Sequence, residues 1–400
     1  MNIDQVLEYV EEQDVKFIRL SFCDVFGKQK NVSILPDELP KAFKEGISID
    51  GSAIDGFMDE KNSDLFLYPD PDTCSILPWR SMEGAVIRME CQIKYPDETP
   101  FERDCRYILK KAIRKAKEKG ITFVFGTEFE FYLFKLDENE NNTYIPLDQG
   151  GYMDVSPEDK GEDVRREICF TLSDMGIQPE ASHHEEGPGQ NEIDFRYSTA
   201  LRAADNAQTF KWVVKTISKS NGLYADFSPK PLKQEAGNGL HINISIESED
   251  NKDYLDNVLA GLMNHLEEMT LFLNPDVSSY ERIGKRKAPK YITWSAYNRT
   301  QAIRIPATKS KNIRLELRSP DPCCNPYLAF ALIIYAGLDG IERNLKAPEE
   351  VNVNLYQAKD DITSQLKAIP DSIRKASNIT RESEFIAEYI PEKIIEAYLK

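Results

Sequence analysis

Residues 126–134, GTEFEFYLF, alternate polar and apolar side chains with a period of two, and that period commits them to a β-strand. Phe129, Phe131 and Leu133 point one way, and Glu128, Glu130 and Tyr132 the other. Glutamate is depleted in strands, and like charges on one face repel. A strand of this kind needs positive charge over its polar face. Other segments repeat the pattern. In GLHINISI, His241, Asn243 and Ser245 share a face opposite Leu240, Ile242, Ile244 and Ile246. In IRLELRS, Arg314, Glu316 and Arg318 share a face, and in NEIDFRY so do Glu192, Asp194 and Arg196. Upstream of the last lies a Gly/Pro turn, HHEEGPGQ, carrying His183, His184, Glu185 and Glu186.

Any one of these strands reads as the solvated side of a half-exposed sheet. Together they predict a largely antiparallel sheet with one polar face, in an α+β chain. Strands are expected at 122–134, 191–197, 239–247, 301–306 and 313–318, and helices at 3–13, 105–120, 157–176, 198–221, 253–273, 325–343 and 382–399. Two further strands fall in VKFIRLSFCDVFGKQKNVSI around a turn at Gly27-Lys28. Four hundred residues exceed one core, and YPDETPFERD (95–104) reads as the boundary between domains 1–100 and 101–400.

A net charge of −17 argues against nucleic-acid or anionic-membrane partners. The seven scattered cysteines, with no C-x-x-C, point to reduced thiols in the cytoplasm. The N-terminal stretch lacks the basic and apolar regions of a signal peptide. The longest apolar run, YLAFALIIYAG (327–337), is too short to span a bilayer and reads as a buried helix after Asn325-Pro326.

Glu128, Glu130, Glu185, Glu192 and Glu316 with His241 form an oxygen-rich set suited to Mg²⁺ or Mn²⁺. Six protein ligands exceed what one Mg²⁺ takes, so two or three metals per site is the natural division. Arg299, Arg304, Arg314 and Arg318 follow nearby, and arginine binds phosphate in a bidentate fork. Metals beside arginines suggest phosphoryl transfer from a nucleotide by charge neutralisation. The chain has neither a P-loop nor a Rossmann glycine pattern.

With these motifs, and with IDGSAIDGF, DLFLYPDPDTCSILPW, APKYITWSAYNRTQAIRIP and RLELRSPDPCCNPYLAFALIIYAGLDGI in the same order, the chain resembles the bacterial type I glutamine synthetase family over nearly its whole length. The resemblance implies an N-terminal β-grasp domain and a catalytic domain with a curved antiparallel sheet. It implies a dodecamer of two hexameric rings with active sites between neighbouring subunits. The implied reaction joins glutamate and ammonia, with ATP forming γ-glutamyl phosphate on the way to glutamine. By the same resemblance, Glu130, Glu185 and Glu192 would hold the metal nearer the substrate, and Glu128, His241 and Glu316 the metal nearer ATP. Arg299 and Arg304 would meet the transferred phosphates, and Arg282 and Arg318 the amino acid and the developing phosphate. Gly237 would line the amino-acid pocket, with Ser245 and Lys311 near the nucleotide. Asp50 would reach in from the adjacent subunit to bind and deprotonate ammonium.

The chain departs from that pattern on the acceptor side. The family's active-site flap carries a glutamate where YERIGKRKAP (280–289) is one residue shorter and has Lys287. A family asparagine is replaced by Ala236, which removes its side-chain donors and acceptor. Three functions therefore stand: a glutamate–ammonia ligase, a related ligase taking another acid or amine, and a weakly catalytic regulatory paralogue.

Overall fold

The computed structural model describes residues 1–80, 84–309 and 313–399. The alternating segment 126–134 lies within the long central strand Ile121–Leu136. Among the described residues it lies in a nine-stranded curved sheet. Its order runs Trp294–Ala296, Ile303–Ile305, Leu315–Leu317, Leu240–Ser248, Ile121–Leu136, Gln190–Thr199, Pro179–His184, with Leu223–Asp226 and Asn142–Pro146 also pairing with the central strand. The pairings are antiparallel except between Trp294–Ala296 and Ile303–Ile305, which run parallel.

One face of this sheet is covered and the other is open. On the covered face Phe129 lies 5.0 Å from Phe210 and 6.1 Å from Phe195, ring centre to ring centre, and Phe125 stacks on Phe330 at 4.4 Å. Phe210 comes from the helix Ala200–Ser220 and Phe330 from Pro326–Glu342, so two helices bury the apolar side of the strands. Asn325 caps the second helix by accepting from the Tyr327 amide, with Pro326 at the first turn, as the apolar run at 327–337 predicts. This helix lies against Leu255–Leu273 at unusually close range. A Cβ added to Gly261 would sit 2.0 Å from the Ala336 carbonyl oxygen, so only glycine permits that approach.

Among the described residues the N-terminal sheet has six strands and runs Gln29–Ile34, Val15–Cys23, Ala85–Lys94, Asp64–Pro69, Ile47–Asp50, with Ser75–Ile76 paired to Ala85–Lys94. Its first two strands form the expected hairpin, Cys23 opposite Gln29. Asp24 Oδ1 accepts from the Phe26 and Lys28 amides to close the turn, and Gly27 takes φ +78°. A buried network ties this sheet to the rest: Arg106 donates to Asp205 (3.0 Å) and Asp70 (2.8 Å), and Tyr327 donates to Asp205 (2.8 Å).

Three local expectations are corrected. The helix expected at 382–399 is two helices, Glu384–Tyr389 and Glu392–Tyr398, because Pro391 lacks an amide hydrogen and keeps the residue before it out of the helical region. The helix expected at 157–176 begins at Glu162, since the preceding residues are held in a loop by Asp148. The histidines placed in a turn lie in the edge strand Pro179–His184, whose polar sequence has no alternating apolar face to betray it.

Candidate active site

Strand register converts the sequence pattern into rows. Glu128 stands opposite His241 on one neighbouring strand and Asp194 on the other. Glu130 stands opposite Glu192, which stands opposite His183. Asn243 stands opposite Glu316, which stands opposite Arg304. Directly opposed residues in an antiparallel ladder project to the same side within contact range. Residues far apart in the chain therefore meet on the open face.

The contacts are specific. His241 Nδ1 lies 3.0 Å from Glu128 Oε2 and 3.7 Å from Glu316 Oε1. Asn243 Nδ2 donates to Glu128 Oε1 at 2.8 Å, and Asn243 Oδ1 accepts from Arg314 Nε at 2.8 Å. Glu316, wholly buried, accepts from Arg318 Nη1 at 2.8 Å and from Arg304 Nε. Ligand-type atoms of Glu128, His241 and Glu316 lie within 4.8 Å of one another, as do those of Glu130, Glu192 and His241, and those of His183, Glu185 and Glu192. Glu192 thus links two of these groups, with Glu130 in one and Glu185 in the other.

The electrostatics separate the carboxylates. Burial pushes Glu128 up, but the hydrogen bonds from His241 and Asn243 hold its pKa at about 2. Burial, aided by carboxylate neighbours, raises Glu130 and Glu185. Burial raises Glu192 despite its contact with His183, and Asp194 is pushed up to about 9 by burial and the charges of Glu192 and Glu128. Asp194 Oδ1 is also buried without a hydrogen-bond partner. Crowded carboxylates that resist ionisation in this way are a fit for hard divalent cations, whose charge removes the repulsion.

A cavity of about 350 Å³ opens over these rows, within the range of small-ligand sites. Glu128, Glu130, Glu192 and His241 line it from the sheet, Arg282 from the short helix Ser279–Arg282, and Glu185, Gly237, Arg299 and Arg318 from the loops. A Cβ on Gly237 would come 2.4 Å from the Pro229 carbonyl oxygen and 2.9 Å from Arg282 Cγ, so the position requires glycine. Arg282 is buried and donates to the Ser319 (2.8 Å) and Arg318 (3.3 Å) carbonyls. Tyr132 donates to the Ala236 carbonyl at 2.7 Å and so pins the 229–239 loop to the central strand. Lys287 also lines the cavity: its Nζ lies 2.9 Å from Glu186 Oε1 and 4.8 Å from the centre of the Tyr152 ring.

Of the other predicted residues, Glu316 joins the site through its contacts with Arg318 and His241, Arg304 joins by donating to Glu316, and Ser245 continues the face of His241 and Asn243 along its strand. Lys311 lies outside the described residues. Asp50 does not join them within one chain. It is exposed at the end of the edge strand Ile47–Asp50, where Oδ1 accepts from the Ser52 amide (2.9 Å) and hydroxyl (2.7 Å).

Sequence reasoning noted His183, Glu186, Asp194 and Asn243 without giving them a role, and it missed Tyr152 and Gln190. Gln190 Nε2 donates to Asn238 Oδ1 (3.1 Å) and the Gly237 carbonyl (3.2 Å), bridging the sheet to the glycine loop. The available signal was its place at the head of the NEIDFRY alternation. Tyr152 sits in an irregular loop, where periodicity carries no information.

Residues 102–400 match the family described as glutamine synthetase, catalytic domain, and residues 14–96 match glutamine synthetase, beta-grasp domain. The chain is 44% identical to a glutamine synthetase of Methanosarcina mazei, with 99% of this chain and 92% of the relative covered. It is 42% identical to one of Clostridium saccharobutylicum, with 99% and 93% covered. Among solved structures it resembles a GmaS–ADP complex with a TM-score of 0.89 at 28% identity, covering 98% of this chain and 93% of the other.

Proposed function

The chain belongs to the glutamine synthetase family, and from that membership we propose that it is an ATP-dependent ligase that joins glutamate and ammonia to give glutamine, ADP and phosphate. The observation that carries this reading is the gathering of Glu128, His241 and Glu316 within 4.8 Å, with Arg304 and Arg318 bonded to the same Glu316. That arrangement neutralises polyphosphate charge from two sides.

In this reading Glu128, His241 and Glu316 hold a divalent ion, Mg²⁺ or Mn²⁺, on the nucleotide side, and Glu130, Glu185 and Glu192 hold one on the substrate side. Such ions supply charge neutralisation at the transferred phosphoryl group. Arg299 and Arg304 face the phosphates, and Arg318 meets the negative charge that develops as the glutamate carboxylate attacks. Arg282 and Gly237 shape the amino-acid pocket. Ser245 and Lys311 belong to the nucleotide side. Phosphorylation gives the carboxylate a leaving group that ammonia can displace. Ammonium is not itself a nucleophile, so a carboxylate must take a proton from it. Asp50 fills that role only if a neighbouring subunit supplies it, and a homo-oligomer, a dodecamer on the family pattern, is part of the proposal. So are a division into domains 1–100 and 101–400 and a cytoplasmic location. The two separate sheets support the first, and the unpaired state of all seven cysteines accords with the second.

The test is to measure ADP, phosphate and glutamine with ATP, glutamate, ammonium chloride and Mg²⁺ or Mn²⁺. Metal-dependent glutamine formation is expected. Turnover with another amine in preference to ammonia would support the related-ligase reading. ATP binding without turnover on any acceptor would overturn the catalytic reading in favour of a regulatory one.

A further inference from the structure

Lys287 places a primary ammonium group inside the cavity. Its Nζ is 2.9 Å from Glu186 Oε1 and stands over the Tyr152 ring at 4.8 Å. A carboxylate combined with an aromatic face is a cage for R–NH₃⁺. The backbone delivers the lysine there. The segment after Arg282 turns at Gly284 (φ +73°) and Arg286 (φ +50°), and the Ala288 amide donates back to the Lys285 carbonyl at 3.0 Å. Arg286 anchors the turn by donating to the Gln234 carbonyl at 2.8 Å. On the other side, the Glu186 amide donates to Glu185 Oε2 at 2.8 Å, which sets the cage directly beside a carboxylate of the metal-ligand set.

We infer that Lys287 is a specificity-determining residue whose tethered ammonium occupies the cation position that a free ammonium acceptor must take. The inference rests on the ligase reading above. An ammonium ion and the lysine head carry the same charge and the same donor chemistry, so they exclude one another between Glu186 and Tyr152. Lys287 is half-exposed, with 51% of its side chain open to solvent, and Glu186 is 32% open. A pair of that exposure is weak and opens readily. The lysine therefore acts as an internal competitor, raising the ammonium concentration needed for turnover. In the ligase reading glutamate binds at Arg282 and ATP at the arginine–carboxylate rows, so neither needs the cage between Glu186 and Tyr152.

The experiment is steady-state kinetics on the full-length enzyme carrying Lys287→Met and Lys287→Arg, varying each substrate in turn. Lys287→Met is expected to lower the KM for ammonium by about two- to fivefold, the factor that matches a weak exposed ion pair. The KM values for glutamate and ATP are expected to stay put. Lys287→Arg keeps a caged cation and is expected to retain the wild-type KM for ammonium, whereas a purely structural role would move all three constants together. An unchanged or raised ammonium KM in Lys287→Met would overturn the inference, and so would a folded Lys287→Met enzyme without activity, since Lys287 would then serve the chemistry. If Lys287→Met fails to fold, Lys287→Gln carries the same comparison. Wild-type protein that makes no glutamine under any condition would sink the ligase reading and this inference with it, an outcome distinct from normal wild-type turnover with insensitive variants.

Discussion

His184 Nε2 lies 2.9 Å from Asp148 Oδ1, both side chains are closed to solvent, and His184 Nδ1 lies 2.7 Å from the Glu185 carbonyl oxygen. Burial disfavours the charged imidazole, but an acceptor at each ring nitrogen outweighs it and raises the His184 pKa. Asp148 also accepts from the Gly150 (3.2 Å), Lys160 (2.9 Å) and Gly189 (2.9 Å) amides. Burial pushes Asp148 up, but His184 and these amides hold it at about 2. The pair thus orients the loop that presents Glu185 to the cavity.

Asp148→Asn is expected to weaken Mn²⁺ binding by about 10- to 100-fold, the usual consequence of losing a partner behind a metal ligand. Titration calorimetry with MnCl₂ measures it. An unchanged affinity would mean that Glu185 is positioned without this tether.

Glu316 neutralises two arginines at once, and it and Arg318 are almost fully buried. Glu316→Gln leaves that charge without an anion. A loss of about 3 kcal/mol of stability is expected in urea unfolding of the metal-free protein, because the penalty comes from the stranded cation.

Metal binding should release protons. Glu130, Glu185, Glu192 and Asp194 all have raised pKa values, so part of this set holds protons that a divalent ion displaces. Affinity for Mg²⁺ or Mn²⁺ is expected to rise with pH across the range above the ordinary carboxylate values. Calorimetry in buffers of different ionisation enthalpy would reveal the displaced protons, and identical apparent enthalpies in all buffers would rule the effect out.

A pH effect on stability should arise far from the site. His265 stacks on Phe385 at 3.9 Å, with Nδ1 2.6 Å from Glu268 Oε2 and Nε2 2.9 Å from Asp339 Oδ2. Burial lowers its pKa, but the two carboxylates outweigh it and the net shift is upward. A raised folded pKa means the contribution is complete below the unfolded value, about 6.5, and is lost as pH climbs through the folded value. Glu268 also accepts from Ser383, the cap of Glu384–Tyr389, so the C-terminal helices share in that loss. His265→Gln should lower Tm more at pH 6 than at pH 9, and a Tm difference independent of pH would count against the assignment.

The sequence by itself determined the chemistry of the face. A period of two is local, and it told which side of each strand is polar and that Glu128, Glu130, Glu192, His241 and Glu316 belong to such sides. It also marked the buried helix after Asn325-Pro326 and the hairpin at Gly27, because caps and turns depend on neighbours a few residues apart. Only the tertiary structure decided which residues meet. Register across separate strands set His241 beside Glu128 and Glu316 beside Arg304, and no property of either segment alone specifies that alignment. The edge strand carrying His183 and His184 escaped notice because its pairing on Gln190–Thr199, not its composition, makes it a strand. Tyr152, Glu186 and Lys287 come from three separate loop segments, and their meeting depends on long-range packing rather than on any periodic signal. The sequence therefore marked Lys287 as out of place, while the fold gave its ammonium a carboxylate and an aromatic face to occupy.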